Sequence, residues 1–288
     1  MTLPRSLSVA IAVFALHVGL LFLPPIPPDI RGSLWSHLLV LVFLIASAMA
    51  VSGCYTTILS AWLANSAGRR LLIIVATLAV AGFVGVVIYS LAQPLFVRFS
   101  AEEGVWEPLS TVAYLAAGIL LLKTAWRFAD MVLRRHLIFY SALYFFLFLE
   151  EINYLEIFGG MLPRVDGLYL GAVHDVVNLW AKGAIPPMVL GLMTSAALLL
   201  AIALWRLKFL QPARLLRDIG VFGGACLVAG VSLIAVALGI EAHYVPWPAG
   251  VQKPEELVEL TGAICLLAFA LEIAAGYYRR SGNGPASG

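Results

Sequence analysis

The sequence predicts an all-α, polytopic integral membrane protein with about eight transmembrane helices and both termini in the cytoplasm. Hydrophobic residues make up 62% of the chain and charged residues only 12%, whereas a soluble domain carries about 25% charged residues. The apolar residues form continuous runs of the length that a membrane-spanning helix needs, about 20 residues. They do not alternate with polar residues as the strands of a membrane barrel do. We therefore expect one transmembrane helical domain over residues 1–280 and a disordered tail over 281–288.

Eight apolar segments are the expected transmembrane helices, and local signals mark several of their ends. The first follows Arg5 and ends at the proline-rich run 24–28; we interpret it as a retained helix because no signal-peptide cleavage site follows. Acidic residues complement the dipole at the start of the fourth segment, and Pro254 precedes the start of the eighth. The segments are residues 6–24, 35–63, 70–97, 106–128, 136–158, 184–206, 217–240 and 256–278.

The charged residues are distributed unequally between the two ends of these segments. With the N-terminus inside, the cytoplasmic segments hold all but five of the 18 basic residues, as the positive-inside rule requires. An even helix count then returns the C-terminus to the cytoplasm. The outer face holds all but three of the 16 carboxylates. The basic exceptions are Arg31, Arg98, Arg164, Lys182 and Lys253, and the acidic ones are Asp130, Asp218 and Glu272. We expect Glu272 to extend toward the level of Arg279.

The first outer cluster lies at the start of the fourth segment. Glu103, Glu107 and Ser110 recur at helical three- and four-residue spacing, so they share one face. Acidic residues in a first turn also complement the helix dipole, which accounts for Glu103 without a function. Glu107 lies deeper and is a candidate catalytic residue, with Glu103 and Ser110 in support.

The second cluster, Glu150 and Glu151, follows an aromatic-rich stretch of the fifth segment. A charge at the centre of a bilayer costs about 2.5–3.5 kcal/mol on insertion scales. Adjacent helical residues point about 100° apart, so at least one of the two acids faces the protein interior or a water-filled cavity. Alternatively, the helix ends near residue 149 and both acids are solvated. We take both as candidate catalytic residues, with Asn153 and Tyr154 continuing the face of Glu150.

Two further clusters complete the outer face. His174 and Asp175 precede the sixth segment, and a histidine beside carboxylates suits metal binding or proton transfer, although a lone histidine is usually structural. Glu256 and Glu259 open the eighth segment, and Glu259 lies deeper than helix capping explains. We expect the four clusters to converge on one outward-opening cavity. The catalytic candidates are Glu107, Glu150, Glu151, His174 and Asp175, supported by Glu103, Ser110, Asn153, Tyr154, Asn178, Glu256 and Glu259.

These segments resemble the motifs of an uncharacterised family of bacterial multi-pass membrane proteins. The motifs occur here as Glu103-Gly104-x-x-Glu107-x-x-x-Thr111, Glu150-Glu151-Ile152-Asn153-Tyr154, His174-Asp175 and Glu256-x-x-Glu259. The resemblance covers roughly residues 101–275 and implies a location in the bacterial inner membrane, but it carries no agreed activity. Asn153 stands where this family usually has Ser. Glu107-x-x-Ser110 is also faintly similar to the zinc-binding ceramidase-like transmembrane hydrolases, whose His-x-x-x-His pair is missing here.

Three functions are compatible with such a site. The first is a metal- or carboxylate-assisted hydrolase or transferase acting on a lipid or lipid-linked substrate, in which a divalent metal would activate water. The second is a proton- or cation-coupled transporter or channel that uses the same carboxylates, and the third is a structural membrane subunit. The sequence contains no nucleic-acid-binding pattern and leaves the oligomeric state open. Few polar residues are recognisable in the inner half, which favours the first function. They are Ser47, Ser52, Thr56, Thr57 and Glu272.

Overall fold

A computed structural model describes residues 5–21, 34–91, 106–127, 131–151, 212–241 and 254–281, together with a few positions between 191 and 206. These residues are almost entirely helical, and none of them lies in a strand. The predicted all-α class is therefore confirmed for this part of the chain. The long helices are α1 (Arg5–Leu21), α2 (Leu34–Ala64), α3 (Ala67–Leu91), α4 (Trp106–Arg127), α5 (Met131–Glu151), α6 (Pro212–Glu241) and α7 (Glu255–Ser281).

Five stretches of the described residues are long and apolar enough to cross a membrane, and they support a multi-pass membrane protein. They correspond to the second, third, fourth, seventh and eighth predicted segments. Helices α1 and α5 coincide with the first and fifth segments, whereas most of the sixth lies outside the described residues. It remains a prediction that the chain has eight transmembrane helices, that both termini lie in the cytoplasm and that the tail is disordered. The five stretches are Leu41–Ala64, Ala67–Ile88, Trp106–Arg127, Ile219–Ile240 and Glu255–Arg279.

Helix α7 is the central element of the bundle. It packs along α6 and α4 and also contacts α2 and α3, while α4 packs against α5 and α2 packs against α1. Its residues from 268 to 278 are all buried, and many are alanines that let neighbouring helices approach closely. A helix that is apolar and buried on every side lies in the core of a protein. Polar residues on α7 must therefore find partners on the surrounding helices.

Two glycines set the distance between α6 and α7. A Cβ atom added to Gly262 would lie 3.1 Å from the carbonyl oxygen of Gly230, and one added to Gly230 would lie 3.1 Å from the carbonyl oxygen of Gly262. Both contacts are with backbone, which cannot rotate out of the way. Small residues at a crossing point of this kind are typical of helix pairs in membranes.

Helices α3 and α6 leave long apolar side chains on the outside of the bundle. Leu72 is 67% exposed, Phe83 69% and Val221 92%. A soluble monomer rarely exposes a contiguous apolar surface of more than a few hundred Å². These faces are suited to contact with lipid tails, in agreement with the apolar length of the same helices.

A tight connection places the end of α2 beside the start of α3. Only Asn65 and Ser66 separate the two helices, and the Oγ of Ser66 accepts a hydrogen bond of 3.4 Å from the backbone N–H of Arg69, as an N-cap residue does. The backbone N–H of Asn65 also donates to the carbonyl of Trp62. The turn brings Trp62 of α2 and Arg70 of α3 to the same place beside α7.

Replacing Gly262 by Ala should lower the melting temperature of the detergent-solubilised protein. Overpacking a tight contact costs about 1–3 kcal/mol, which exceeds the gain of up to about 1 kcal/mol in helix propensity. The matched control is G82A, because a Cβ atom on Gly82 meets nothing within 4 Å. If G262A and G82A melt at the same temperature, the α6–α7 crossing is not limited by this contact.

Candidate functional site

Four of the acidic residues singled out in the sequence come together at one end of the bundle. Glu107 lies in the first turn of α4, Glu151 ends α5, and Glu256 and Glu259 lie in the first two turns of α7. Helices α4 and α7 begin at this end, and α5, which packs against α4, ends there. Glu107, Glu256 and Glu259 are all close enough to Glu151 to act on its charge. We call these four residues the acidic end.

Within the acidic end, the carboxyl groups of Glu151 and Glu259 lie within hydrogen-bonding reach of each other. An ionised carboxylate only accepts hydrogen bonds, so a hydrogen bond between the two groups would require a proton on one of them. The Oε1 atom of Glu151 is buried and has no hydrogen-bond partner among the described residues. The pair thus brings the end of α5 to α7, and one acceptor oxygen of Glu151 is buried beside it.

Tyr114 extends the polar groups from the acidic end toward the middle of the bundle. Its side chain is only 2% exposed, and it lies within electrostatic range of Glu151, Glu259 and Tyr144. The hydroxyl of Tyr144 in turn donates to the carbonyl oxygen of Leu266 on α7. Ser110 does not contribute in this way, since its Oγ donates to the backbone carbonyl of Glu107 at 2.8 Å.

The structure leaves several predicted site residues undecided. Glu150 is half-buried at the end of α5 next to Glu151, and its place in the site remains a prediction. Within the described ranges no group of three or more His, Cys, Asp and Glu side chains is arranged to hold a metal ion. A metal site that includes the histidine therefore remains a prediction. The candidates outside the described residues are Glu103, Asn153, Tyr154, His174, Asp175 and Asn178.

A second charged cluster, which sequence reasoning missed, surrounds Glu272 near the other end of α7. Glu272 is 2% exposed and accepts hydrogen bonds from the Nε1 of Trp62 at 2.9 Å and from the guanidinium of Arg70. The Nη2 of Arg279 lies 3.2 Å from its other oxygen. The side chain does reach toward Arg279, but it remains buried instead of extending to solvent. We call Glu272, Arg70 and Arg279 the basic end.

Buried hydroxyl groups connect α2, α4 and α7 in the same half of the protein. The Oγ1 of Thr124 donates to the carbonyl of Leu120 at 2.7 Å, so Tyr55 must be the donor in its 3.0 Å bond to Thr124. Since the single proton of Tyr55 is used there, Tyr278 donates in the 2.9 Å bond between the two tyrosines. These three residues are not recognisable as polar contacts from the sequence, because a tyrosine or threonine in an apolar helix gives no local signal of its hydrogen-bond partners.

Truncating Glu272 should destabilise the protein strongly. E272A leaves Arg70, whose side chain is 8% exposed, as a buried charge without its counter-ion, and breaking a buried ion pair costs about 3–5 kcal/mol. The double variant E272A/R70M should recover most of the loss in melting temperature. Exposed Arg69 provides the control, because R69M should change stability by no more than about 0.5 kcal/mol. Equal melting temperatures for E272A and R69M would show that the ion pair does not stabilise the fold.

Comparisons with known proteins give no assignment. A scan against protein-family models finds no matching family, and searches of curated proteins and of solved structures find no match. The resemblance of the acidic motifs to a bacterial membrane family therefore remains a prediction.

Proposed function

We propose that this chain is a proton-coupled membrane transporter of the bacterial inner membrane that binds protons at Glu151 and Glu259. The observation that carries the proposal is the approach of these two carboxyl groups to within hydrogen-bonding reach of each other, an arrangement that one shared proton would stabilise. We further infer eight transmembrane helices with both termini in the cytoplasm, so that the acidic end faces outward. Intramembrane carboxyl groups commonly mark proton relays and ion pathways.

The polar groups beyond the acidic end favour transport over a site confined to one surface. Tyr114 lies within electrostatic range of the carboxyl pair, and Tyr144 lies within range of Tyr114. The hydrogen-bonded Tyr55, Thr124 and Tyr278 occupy the opposite half. A transporter requires polar groups along the whole bundle, because a proton or solute must find partners at every depth. Hydroxyl groups that donate and accept are suited to this task.

A second function, a hydrolase or transferase acting on a lipid or lipid-linked substrate, is favoured by one specific feature. A protonated and an ionised carboxyl group side by side supply a general acid and a general base at the same pH. With one shared proton, Glu151 and Glu259 would form such a pair, with Glu107 close by. His174 and Asp175 would add metal ligands if they join this cluster, and a bound divalent cation would then activate water for attack.

The shared proton can be tested without knowing any substrate. At neutral pH the infrared spectrum of the purified protein should contain the carbonyl stretch of a buried, protonated carboxylic acid. E151Q and E259Q should each remove this band, since a glutamine amide donates to the remaining carboxylate without an added proton. E255Q is the matched control in the first turn of α7 and should leave the band in place. A band that persists in both E151Q and E259Q would contradict the proton-sharing pair.

A transport assay in proteoliposomes can distinguish the transporter from the enzyme. They would contain a bacterial lipid extract, and uptake of a panel of labelled solutes would be measured under an imposed pH gradient. A transporter should accumulate a solute only with the gradient present, and E151Q should abolish the accumulation. New lipid products that form with or without the gradient, and that are lost in E151Q, would instead establish the enzyme.

A further inference from the structure

A cavity of about 820 Å³ opens between α3, α6 and α7 at the basic end. Its walls include the charged side chains of Arg70, Glu272 and Arg279 and apolar side chains such as Leu71, Val221 and Phe222. This combination of a mostly apolar wall with a few convergent polar groups is typical of small-molecule sites, which measure about 300–1,000 Å³. The proton site proposed above does not use this cavity.

The charges in the cavity wall do not cancel. Arg70 is buried and donates to Glu272 and, through its Nε, to the carbonyl of Asn65 at 2.9 Å. The single negative charge of Glu272 is thus matched by Arg70 alone. Arg279 adds a second positive charge, and its side chain is 50% exposed. A guanidinium in this position is suited to bind a phosphate group through parallel N–H···O bonds.

The apolar part of the wall is continuous with the outer surface of the helices. Leu71 is 51% exposed and Val221 92%, and both line the cavity as well as belonging to apolar outer faces of α3 and α6. Gly220, with φ of +67°, interrupts α6 directly before Val221, a conformation that a residue with a side chain rarely adopts. A ligand with an acyl chain can therefore enter the cavity from the lipid phase.

We propose that this cavity binds an anionic phospholipid, with its phosphate on Arg279 and one acyl chain along Leu71, Val221 and Phe222. The surplus positive charge selects an anionic headgroup over a zwitterionic one, and the apolar wall selects a lipid over a free anion. Basic pockets between transmembrane helices bind such headgroups in the same way. The lipid thereby occupies the groove between α3 and α6 and links them.

The test uses the full-length protein in a neutral detergent with three separate additions: phosphatidylglycerol, phosphatidylcholine with the same acyl chains, and inorganic phosphate. Phosphatidylglycerol should raise the melting temperature in a saturable way, and the other two additions should have little effect. R279Q should weaken the apparent affinity for phosphatidylglycerol about tenfold or more, because a charged hydrogen bond to phosphate is lost. The affinity of R279K should fall between those of R279Q and the unaltered protein, since lysine keeps the positive charge but lacks the paired N–H donors of the guanidinium.

The matched control is R69Q, which removes an exposed arginine at the start of α3 that does not line the cavity. It should bind phosphatidylglycerol like the unaltered protein. Equal stabilisation by phosphatidylglycerol and phosphatidylcholine would overturn the proposal. So would an equal shift with inorganic phosphate, or equal affinities of R279Q and R69Q. Melting of R279Q without lipid verifies that the variant is folded, as expected while Arg70 still neutralises Glu272.

Discussion

The structure depends on one constraint, which is that α7 is surrounded by other helices and still carries carboxyl groups. A charge in an apolar interior is costly unless it is paired and hydrogen-bonded. Glu259 and Glu272 therefore need partners from neighbouring helices. The carboxyl group of Glu151 on α5 lies within hydrogen-bonding reach of Glu259, while Arg70 of α3 and Trp62 of α2 donate hydrogen bonds to Glu272. Packing and charge compensation thus act on the same helix contacts.

The carboxyl groups of Glu259 and Glu272 have different partners. This difference separates the proposed proton site at Glu259 from the permanent link between helices at Glu272. Glu272 is neutralised by a guanidinium, which stays charged at any physiological pH, so this pair is a permanent link between α3 and α7. In the function we propose, Glu259 shares a proton with Glu151, and protons exchange with the surroundings. The exchangeable contact is suited to a proton-driven step, while the permanent one is suited to holding helices together and exposing the surplus charge of Arg279.

The sequence predicted the helical class and part of the acidic end, for identifiable physical reasons. Long apolar runs specify membrane helices, and the depth of Glu259 within its helix distinguished it from a simple capping residue. Glu107 was expected to lie deeper as well, but it stands in the first turn of α4, where an acidic residue also complements the helix dipole. The Glu272 cluster was beyond such reasoning, because Trp62 and Arg70 approach α7 only through the tight turn at Asn65 and Ser66. The tyrosine and threonine contacts were equally invisible, since Tyr55 and Tyr278 are 223 positions apart. Pairing between helices is a property of packing, and no local pattern encodes it.

Both proposed sites contain residues of one uninterrupted helix, and this arrangement provides a physical connection between them. Glu259 and Glu272 are 13 residues apart on α7, or about 20 Å at the rise of an α-helix. The Gly230–Gly262 crossing lies next to Glu259, and its close backbone contact fixes the position of α7 relative to α6. Loss of the shared proton would place two negative charges side by side at Glu151 and Glu259 and push α5 and α7 apart. Because packed helices move as rigid units, a shift of α7 reaches Glu272 and the cavity beside it. A lipid held by Arg279 would resist that shift, so the proton and lipid proposals would be linked through α7.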